Sequence, residues 1–172
     1  MGGMPEDPGN GGVLRAVREV DWAAYAMPPS AQWYEPGKVL AAFRRLVAVS
    51  SRQEGRAASS AVLFAIGNDH EGTLYPAAAP AAPLLVPVAR EHQGWVRWVA
   101  LEILIDCLDF GPDREQFIDP SGAAVRTRDA ILTAVQGMRQ DLGRLAQQET
   151  DICAGSARVL LEQLDYGLTA GR

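Results

Sequence analysis

One of the two histidines of the chain, His70, stands between carboxylates in the stretch NDHEG. An imidazole titrates near neutral pH and a carboxylate can fix its tautomer, so His70 has the chemistry of a general base or a metal ligand. In the competing structural interpretation, Asn68 caps a helix and His70 binds backbone groups at a corner between two helices. The other histidine, His92, falls at a different predicted turn, and zinc needs three or four ligands. We therefore expect a structural or partner-binding role for His70, and no metal site.

Three carboxylates form a second candidate. Glu102, Asp106 and Asp109 are spaced four and three residues apart, which places them on one face of a predicted helix that is otherwise almost entirely apolar. Buried carboxylates at this spacing could do acid and base work or hold a divalent cation. We expect instead that this acidic stripe faces solvent, or meets an arginine of a neighbouring helix such as Arg56 or Arg128.

Aromatic residues cluster before the first strongly predicted helix, where Trp22, Tyr25, Trp33 and Tyr34 follow one another closely. Tryptophan and tyrosine are frequent anchors at protein interfaces. They are equally suited to covering the open end of a stack of helices, whose terminal apolar face needs a cover. Both interpretations stay open, and covering the stack is favoured.

The motifs of the common enzyme classes are absent from the sequence. It has no phosphate-binding glycine-rich loop, no Gly-x-Ser-x-Gly, no His-Glu-x-x-His and no cysteine in a catalytic signature. Cys107 and Cys153 lie in apolar helical sequence, so we expect buried, reduced thiols. The loop sequence QFIDPSG has too few suitably spaced oxygens for a calcium loop and is interpreted as a turn. We expect no catalytic residues and no cofactor.

The overall composition narrows the class of protein. A chain of 172 residues with 48% hydrophobic residues is long enough for one domain with a substantial core. The net charge of -5 argues against binding that depends on neutralising phosphates. Residues 1–12 are rich in glycine and proline and resemble neither a secretion signal nor a membrane anchor, so we predict a disordered tail, a single helical-repeat domain over residues 13–172 and a cytoplasmic location.

Apolar residues recur at helical spacing from residue 36 onward, and no alternating segment remains to make a sheet. The chain is therefore expected to be all-α. A helix over Pro76–Arg90 contains three internal prolines, Pro80, Pro83 and Pro87, which should kink or break it. The complete set of predicted helices, in pairs, is Pro36–Ser50 with Ala57–Ile66, Pro76–Arg90 with Trp95–Leu108, and Val125–Ala146 with Asp151–Tyr166.

The first two pairs repeat each other at an offset of about forty residues, the period of HEAT and armadillo helix pairs. At this offset Val62 matches Ile103 and Leu63 matches Leu104. Leu161 echoes Leu104 in the third pair, so Leu63, Ile103, Leu104 and Leu161 are expected in the core. The predicted fold is a short right-handed array of antiparallel helix pairs, a HEAT/armadillo-like superhelix.

The corner AIGNDHEGTLYP and the following helix RWVALEILID resemble a group of bacterial HEAT-like helical-repeat proteins, in which a G-N-x-H-x-G-x-x-Y-P corner joins one helix pair to the next. The resemblance covers roughly Trp22 to Asp109. Some similar proteins look like immunity or accessory proteins found near bacterial toxins, and they act by binding another protein. The resemblance therefore implies an immunity-like or regulatory role.

Taken together, the sequence predicts a protein-binding module without enzymatic activity, with another protein as partner and no membrane attachment. A nucleic-acid-binding HEAT-like protein is the alternative, followed by a small hydrolase that uses His70. The oligomeric state and the identity of the partner are left open. The residues predicted to contact the partner lie at the polar corner, at the turn one repeat on and in the aromatic cluster: Asn68, His70, Glu71, Tyr75, Trp95, Trp22, Trp33 and Tyr34.

Overall fold

The computed structural model describes residues 8–170, which fold into helices joined by short turns and two small sheets. The helices are α1 (Pro8–Glu19), α2 (Gly37–Val47), α3 (Arg52–Ile66), α4 (Ala78–Glu91), α5 (Gly94–Asp109), α6 (Thr127–Gln136), α7 (Arg139–Ala146) and α8 (Ala154–Ala170). The strands are β1 (Gly67–Asn68), β2 (Thr73–Leu74), β3 (Gly111–Pro112), β4 (Phe117–Ile118) and β5 (Ala124–Val125). The predicted predominance of helix is confirmed, and the two sheets, whose strands have two residues each, are small additions that the all-α prediction did not include.

The first helix begins inside the segment predicted to be a disordered tail. Residues 8–12 of that segment belong to α1, and residues 1–7 lie outside the described part of the chain. Val13 and Val17 are buried, and α1 packs against α2 and α4. Burial of this apolar face offsets the low helix propensity of the glycines at the start of α1.

α3 begins five residues before its predicted start. The Ser51 side chain accepts a hydrogen bond from the Glu54 backbone N–H, and a Glu54 carboxylate oxygen accepts bonds from the backbone N–H and hydroxyl of Ser50. These bonds satisfy N–H groups that a helix start otherwise leaves unpaired. The predicted end of the helix at Gly67 is confirmed, because α3 ends at Ile66.

α4 is continuous over Ala78–Glu91, so the expectation that its prolines might break it is wrong. Pro80 lies in the first turn, where the missing N–H has no partner to lose. Pro83 and Pro87 point away from the buried alanine-rich face, since Pro83 is exposed and Pro87 is half-buried. The packing of that face holds the helix together despite the lost hydrogen bonds.

The helix predicted over Val125–Ala146 is in fact two helices, α6 and α7, separated at Gly137 and Met138. Arg90 Nη2 donates a 2.5 Å hydrogen bond to the Gly137 carbonyl at this break. Because the helix is interrupted here, the Gly137 carbonyl is available to accept the hydrogen bond from Arg90. The chain after the break turns so that α7 packs along α8.

Helix pairs are the main packing unit, as predicted. α2 packs with α3, α4 with α5, and α7 with α8, and the helices α3, α5 and α8 are neighbours in that order. α5 also contacts α2, α4 and α6, which explains why its sequence is almost entirely apolar. A continuous core runs from Val13 to Leu164.

The predicted core residues are largely confirmed. Leu63, Ile103 and Leu104 are buried, but Leu161 is only half-buried, so its assignment to the core is wrong. In α8 the inward positions are those of Leu160 and Leu164. The offset that relates α8 to α5 is kept, because Leu160 and Leu164 are buried as are Ile103 and Cys107, and Leu161 is only less covered than Leu104. Cys107 and Cys153 are buried and free, as expected.

Candidate functional site

A cleft of about 320 Å³ opens between α3 and α5, and we call it the α3–α5 cleft. Close packing of the two helices forms its floor: a Cβ atom built on Gly55 would lie 2.7 Å from Cγ2 of Val99. Only glycine allows α3 to approach α5 so closely. Charged, hydroxyl and aromatic side chains line the cleft, which is formed by Arg52, Arg56, Ser59, Ser60, Leu63, Asp69, Trp98, Val99, Glu102 and Asp106.

One end of the cleft is aromatic and basic. The Arg52 guanidinium lies 5.9 Å from the centre of the Trp98 ring, within the range of a cation–π interaction. Trp98 in turn contacts Trp95 edge to face, with ring centres 5.6 Å apart. Both tryptophans are half-buried. Trp95 was predicted to contact a partner, and the structure connects it to the cleft through Trp98.

The other end of the cleft is acidic. Glu102 and Asp106 of α5 face it, and the β1–β2 hairpin adds Asp69. Burial, together with the negative charges of the neighbouring carboxylates, raises the pKa of the Asp106 carboxyl from its ordinary value of 3.8 to about 6. Burial makes the largest contribution, followed by Glu102, Asp69 and Asp109. These carboxylates therefore repel one another in a partly desolvated place, and a positive group brought among them would gain favourable interactions.

Within the described part of the chain, two carboxylates of the acidic stripe are contacted by neutral hydrogen-bond donors and not by arginines. In residues 8–170 the stripe has no ion pair with Arg56 or Arg128, so the second of the two predicted alternatives, pairing with an arginine, is not realised. Arg128 Nη1 donates instead to the Leu108 carbonyl at 3.0 Å, and Arg56 lies on the cleft wall. The hydrogen-bond donors to the stripe come from α8. The Ser156 hydroxyl donates to Glu102 at 2.6 Å, and Gln163 Nε2 donates to Asp109 at 2.7 Å.

Neutral hydrogen-bond donors leave the net negative charge of the stripe in place. Glu102 and Asp106 are half-buried and Asp109 is exposed. The stripe therefore faces the surface, which is the first of the two predicted alternatives. The cleft thus has an unneutralised acidic end beside a basic and aromatic end.

The stretch NDHEG is a β-hairpin rather than a simple helix cap. Asn68 pairs with Thr73 across the two strands, and Gly72 closes the turn with φ of 61°, which glycine adopts readily. At the start of the hairpin, a Cβ on Gly67 would lie 2.4 Å from the Thr73 carbonyl oxygen. Glycine at this position is therefore required by the close approach of the two strands.

The side chains of this hairpin separate into exposed and buried ones. His70 and Glu71 are exposed at the tip, and the His70 ring contacts Phe64 edge to face with centres 4.9 Å apart. Tyr75 is 6% exposed and packs against Tyr34 inside the protein. The prediction that His70, Glu71 and Tyr75 share an exposed rim is wrong for Tyr75.

The alternation of helix pairs predicts that this corner lies beside the turn before Trp95, but the hairpin lies at the opposite end of α5. β2 pairs in parallel with β3, and the Gly111 N–H donates a 3.0 Å bond to the Gly72 carbonyl, so the corner adjoins the end of α5. The turn before Trp95 adjoins the start of α5. Consecutive helices run in opposite directions, so the corner after α3 meets the end of α5 and not its beginning.

Most of the aromatic cluster near the N-terminus is interior. Trp22 and Tyr34 are buried; the indole N–H of Trp22 donates to the Val17 carbonyl at 2.7 Å, and the Tyr34 hydroxyl donates to the Trp22 carbonyl at 3.0 Å. Trp33 differs, with 63% of its surface exposed. Trp22 and Tyr34 are therefore core residues and not partner contacts, whereas Trp33 is at the surface; that the cluster covers the open end of a helix stack stays a prediction.

The loop QFIDPSG forms the β4–β5 hairpin, in agreement with its interpretation as a turn. Asp119 closes it by accepting bonds from the Ser121 hydroxyl and from the backbone N–H groups of Ser121 and Ala123. These bonds use the carboxylate internally and lower its pKa.

Within the described residues, no cluster of three or more His, Cys, Asp or Glu side chains has the geometry to hold a metal ion. Burial raises the pKa of the Cys153 thiol to about 12 and raises that of Cys107 as well, so both thiols are protonated and poor nucleophiles at neutral pH. None of the helices formed by residues 8–170 combines the length and apolar character needed to cross a membrane.

Sequence reasoning missed the basic and aromatic half of the cleft. Arg52 and Arg56 are one turn apart on α3, and Trp95, Trp98 and Glu102 follow the same spacing on α5. This helical spacing is visible in the sequence and could have shown that each set shares a face. That the two faces adjoin depends on tertiary packing.

The chain matches no family model, no curated protein and no solved structure.

Proposed function

We propose that the protein is a non-enzymatic binding module for another protein, and that the α3–α5 cleft with the adjoining hairpin tip is its contact surface. The observation that carries the proposal is the combination of half-buried Trp98 with the unneutralised carboxylates Glu102 and Asp106 in one cleft. Tryptophan and arginine are the residues most often found at the energetic centre of protein interfaces.

The proposed contact surface presents both positively and negatively charged side chains. Arg52 and Arg56 suit a carboxylate of the partner, while the acidic end suits a basic side chain, so the cleft favours a segment with charges of both signs. Asp69 joins the cleft to the hairpin tip, where His70 and Glu71 extend the surface. The acidic end repels a phosphate backbone, which disfavours the nucleic-acid alternative.

We further propose that the pairs α2–α3 and α4–α5 are successive units of a HEAT/armadillo-like, right-handed array. The support comes from equivalent burial: Val62 and Leu63 of α3 are buried as are Ile103 and Leu104 of α5, at the offset that relates the two pairs in sequence. An immunity-like or regulatory role follows from the family resemblance of the sequence.

The proposed contact surface can be tested by affinity capture from lysate of the native organism with three forms of the protein. The wild type and the variant Glu149→Gln, which changes an exposed acidic residue outside the cleft, should retain the same partner. Asp106→Arg should lose that partner, because it places a positive charge where the partner's basic group would bind. A partner retained equally by all three forms would place the interface elsewhere.

A further inference from the structure

A second cleft of about 320 Å³ lies among α4, α5 and α7, and we call it the arginine cleft. Arg90, Arg97 and Arg144 bring one guanidinium each from these three helices. In the part of the chain that the structure describes, Asp141 is the one carboxylate lining this cleft. Three positive charges and one negative charge leave a local charge of +2 on a chain whose net charge is -5.

Two of the arginines are fixed by backbone carbonyls. Arg97 Nε donates to the Ala89 carbonyl at 2.9 Å, and Arg90 Nη2 donates to the Gly137 carbonyl at 2.5 Å. A carbonyl orients a guanidinium without cancelling its charge, so Arg97 is held in place with its positive charge intact, whereas Arg90 also bonds the carboxylate of Asp141. Preorganised guanidiniums lose less entropy when an anion binds than freely rotating side chains do.

Asp141 forms ion pairs with both Arg90 and Arg144. Its carboxylate accepts a 2.7 Å bond from Arg90 Nε and a short bond from Arg144, and these bonds hold its pKa below the usual range. Arg144 is the most exposed of the groups, with 68% of its side chain accessible, and can turn toward a ligand. Met138 and Leu145 form an apolar floor, which strengthens electrostatic attraction in the cleft.

We propose that the arginine cleft binds a phosphate-type dianion, with Arg97 and Arg144 as its principal ligands and Arg90 positioned by Asp141 at its edge. Guanidinium groups match the oxygens of phosphate in pairs, and two uncancelled positive charges match a dianion in charge. The site lies apart from the α3–α5 cleft and adds a second binding activity to the proposed function. The ligand is either free phosphate or a phosphorylated side chain, since both present the same oxygens.

Isothermal titration of the purified chain with inorganic phosphate and with O-phosphoserine tests the site, with chloride at matched ionic strength as reference. We expect saturable binding of at least one of the two phosphate compounds and none of chloride. Tighter binding of inorganic phosphate would identify the free anion as the ligand, and tighter binding of O-phosphoserine a phosphorylated side chain; both results support the site.

Three variants separate the site from general attraction of anions. Arg144→Gln should weaken binding by about three- to tenfold, because a charged hydrogen-bond donor is lost. Arg44→Gln, an exposed arginine on α2, should leave the affinity unchanged. Asp141→Asn should strengthen binding, since it removes the competing carboxylate, and its melting temperature shows whether the fold is retained. Absence of saturable binding, or equal weakening by Arg44→Gln and Arg144→Gln, would overturn the proposal and leave the cluster a tie between α4 and α7.

Discussion

The Ser156 hydroxyl of α8 donates a 2.6 Å hydrogen bond to the Glu102 carboxylate of α5, and it does so without adding a positive charge to the acidic end of the cleft. Ser156 is 6% exposed, so the donor of this bond is buried, and the bond restrains the side chain of Glu102. Glu102 therefore stays a negative neighbour of Asp106. The predictions below follow from this arrangement and from the packing that supports it.

The stability of the protein should depend on the protonation of Asp106. Its pKa is raised in the folded state to about 6 from 3.8, so the folded chain binds this proton more tightly than the unfolded chain. The stability that this proton contributes is fully present below the unfolded pKa of 3.8 and is lost as the pH rises through about 6. Asp106→Asn should therefore raise the free energy of unfolding at pH 7.5 relative to the wild type.

Urea denaturation at pH 4.5 and pH 7.5 measures this effect. The difference in stability between Asp106→Asn and the wild type should be larger at the higher pH, where the wild-type carboxylate is charged. A difference that is the same at both values would show that Asp106 has an ordinary pKa and that its surroundings are well solvated.

The close contact of α3 and α5 should make Gly55 intolerant of a side chain. Gly55→Ala brings a Cβ to 2.7 Å from Val99 Cγ2 and 3.3 Å from Trp98, and we expect it to destabilise the fold by about 1–3 kcal/mol. Gly143 of α7 is the matched control, because open space surrounds its Cβ position. Gly143→Ala should stabilise by about 0.5–1 kcal/mol. Thermal unfolding measures both variants. Changes in melting temperature of the same sign for Gly55→Ala and Gly143→Ala would contradict the packing described.

The cost of truncating Leu161 tests how its side chain is placed in α8. Leu104→Ala should cost about 2–5 kcal/mol because the side chain is fully buried, whereas Leu161→Ala should cost clearly less because the side chain is half-buried. Chemical denaturation of both variants compares them directly. Equal losses would place Leu161 in the core after all.

His70 should matter for binding and little for folding. The side chain is exposed and contacts Phe64 at the surface, so His70→Ala should change the free energy of unfolding by no more than about 1 kcal/mol. Its affinity for a partner identified by capture should decrease, since the tip extends the proposed surface. Surface plasmon resonance with that partner measures the effect, and an unchanged dissociation constant would exclude the hairpin tip from the interface.

The helices could be predicted from the sequence because their apolar spacing is a local signal, as in Val39, Phe43 and Leu46, all of which are buried. The early start of α3 was missed although Ser51 and Glu54 have the spacing of a capping box. The strands were missed because two residues are too few for an alternating pattern, and their pairing depends on distant partners such as Gly72 and Gly111.

The site was predicted only in part, for a physical reason. The acidic stripe was recognised because its members share one helix, but its partners come from α8, more than fifty residues along the chain. Tyr75 and Trp22 were included among the predicted contact residues from residue type and position along the chain, and both are buried. Residue type indicates what a side chain can do, whereas tertiary packing decides whether it reaches the surface.

Site-specific photo-crosslinking in the native organism tests the central claim most directly, because it reports which surface touches a partner inside the cell. A photo-reactive amino acid at Ser59, on the wall of the α3–α5 cleft, is compared with the same group at the exposed residue Arg44 of α2, which lines neither cleft. We predict a discrete protein adduct from position 59 that disappears when Asp106→Arg is added, and no such adduct from position 44. An adduct from position 44 alone, or an adduct from position 59 that survives Asp106→Arg unchanged, would contradict the assignment of the cleft as the partner-binding site.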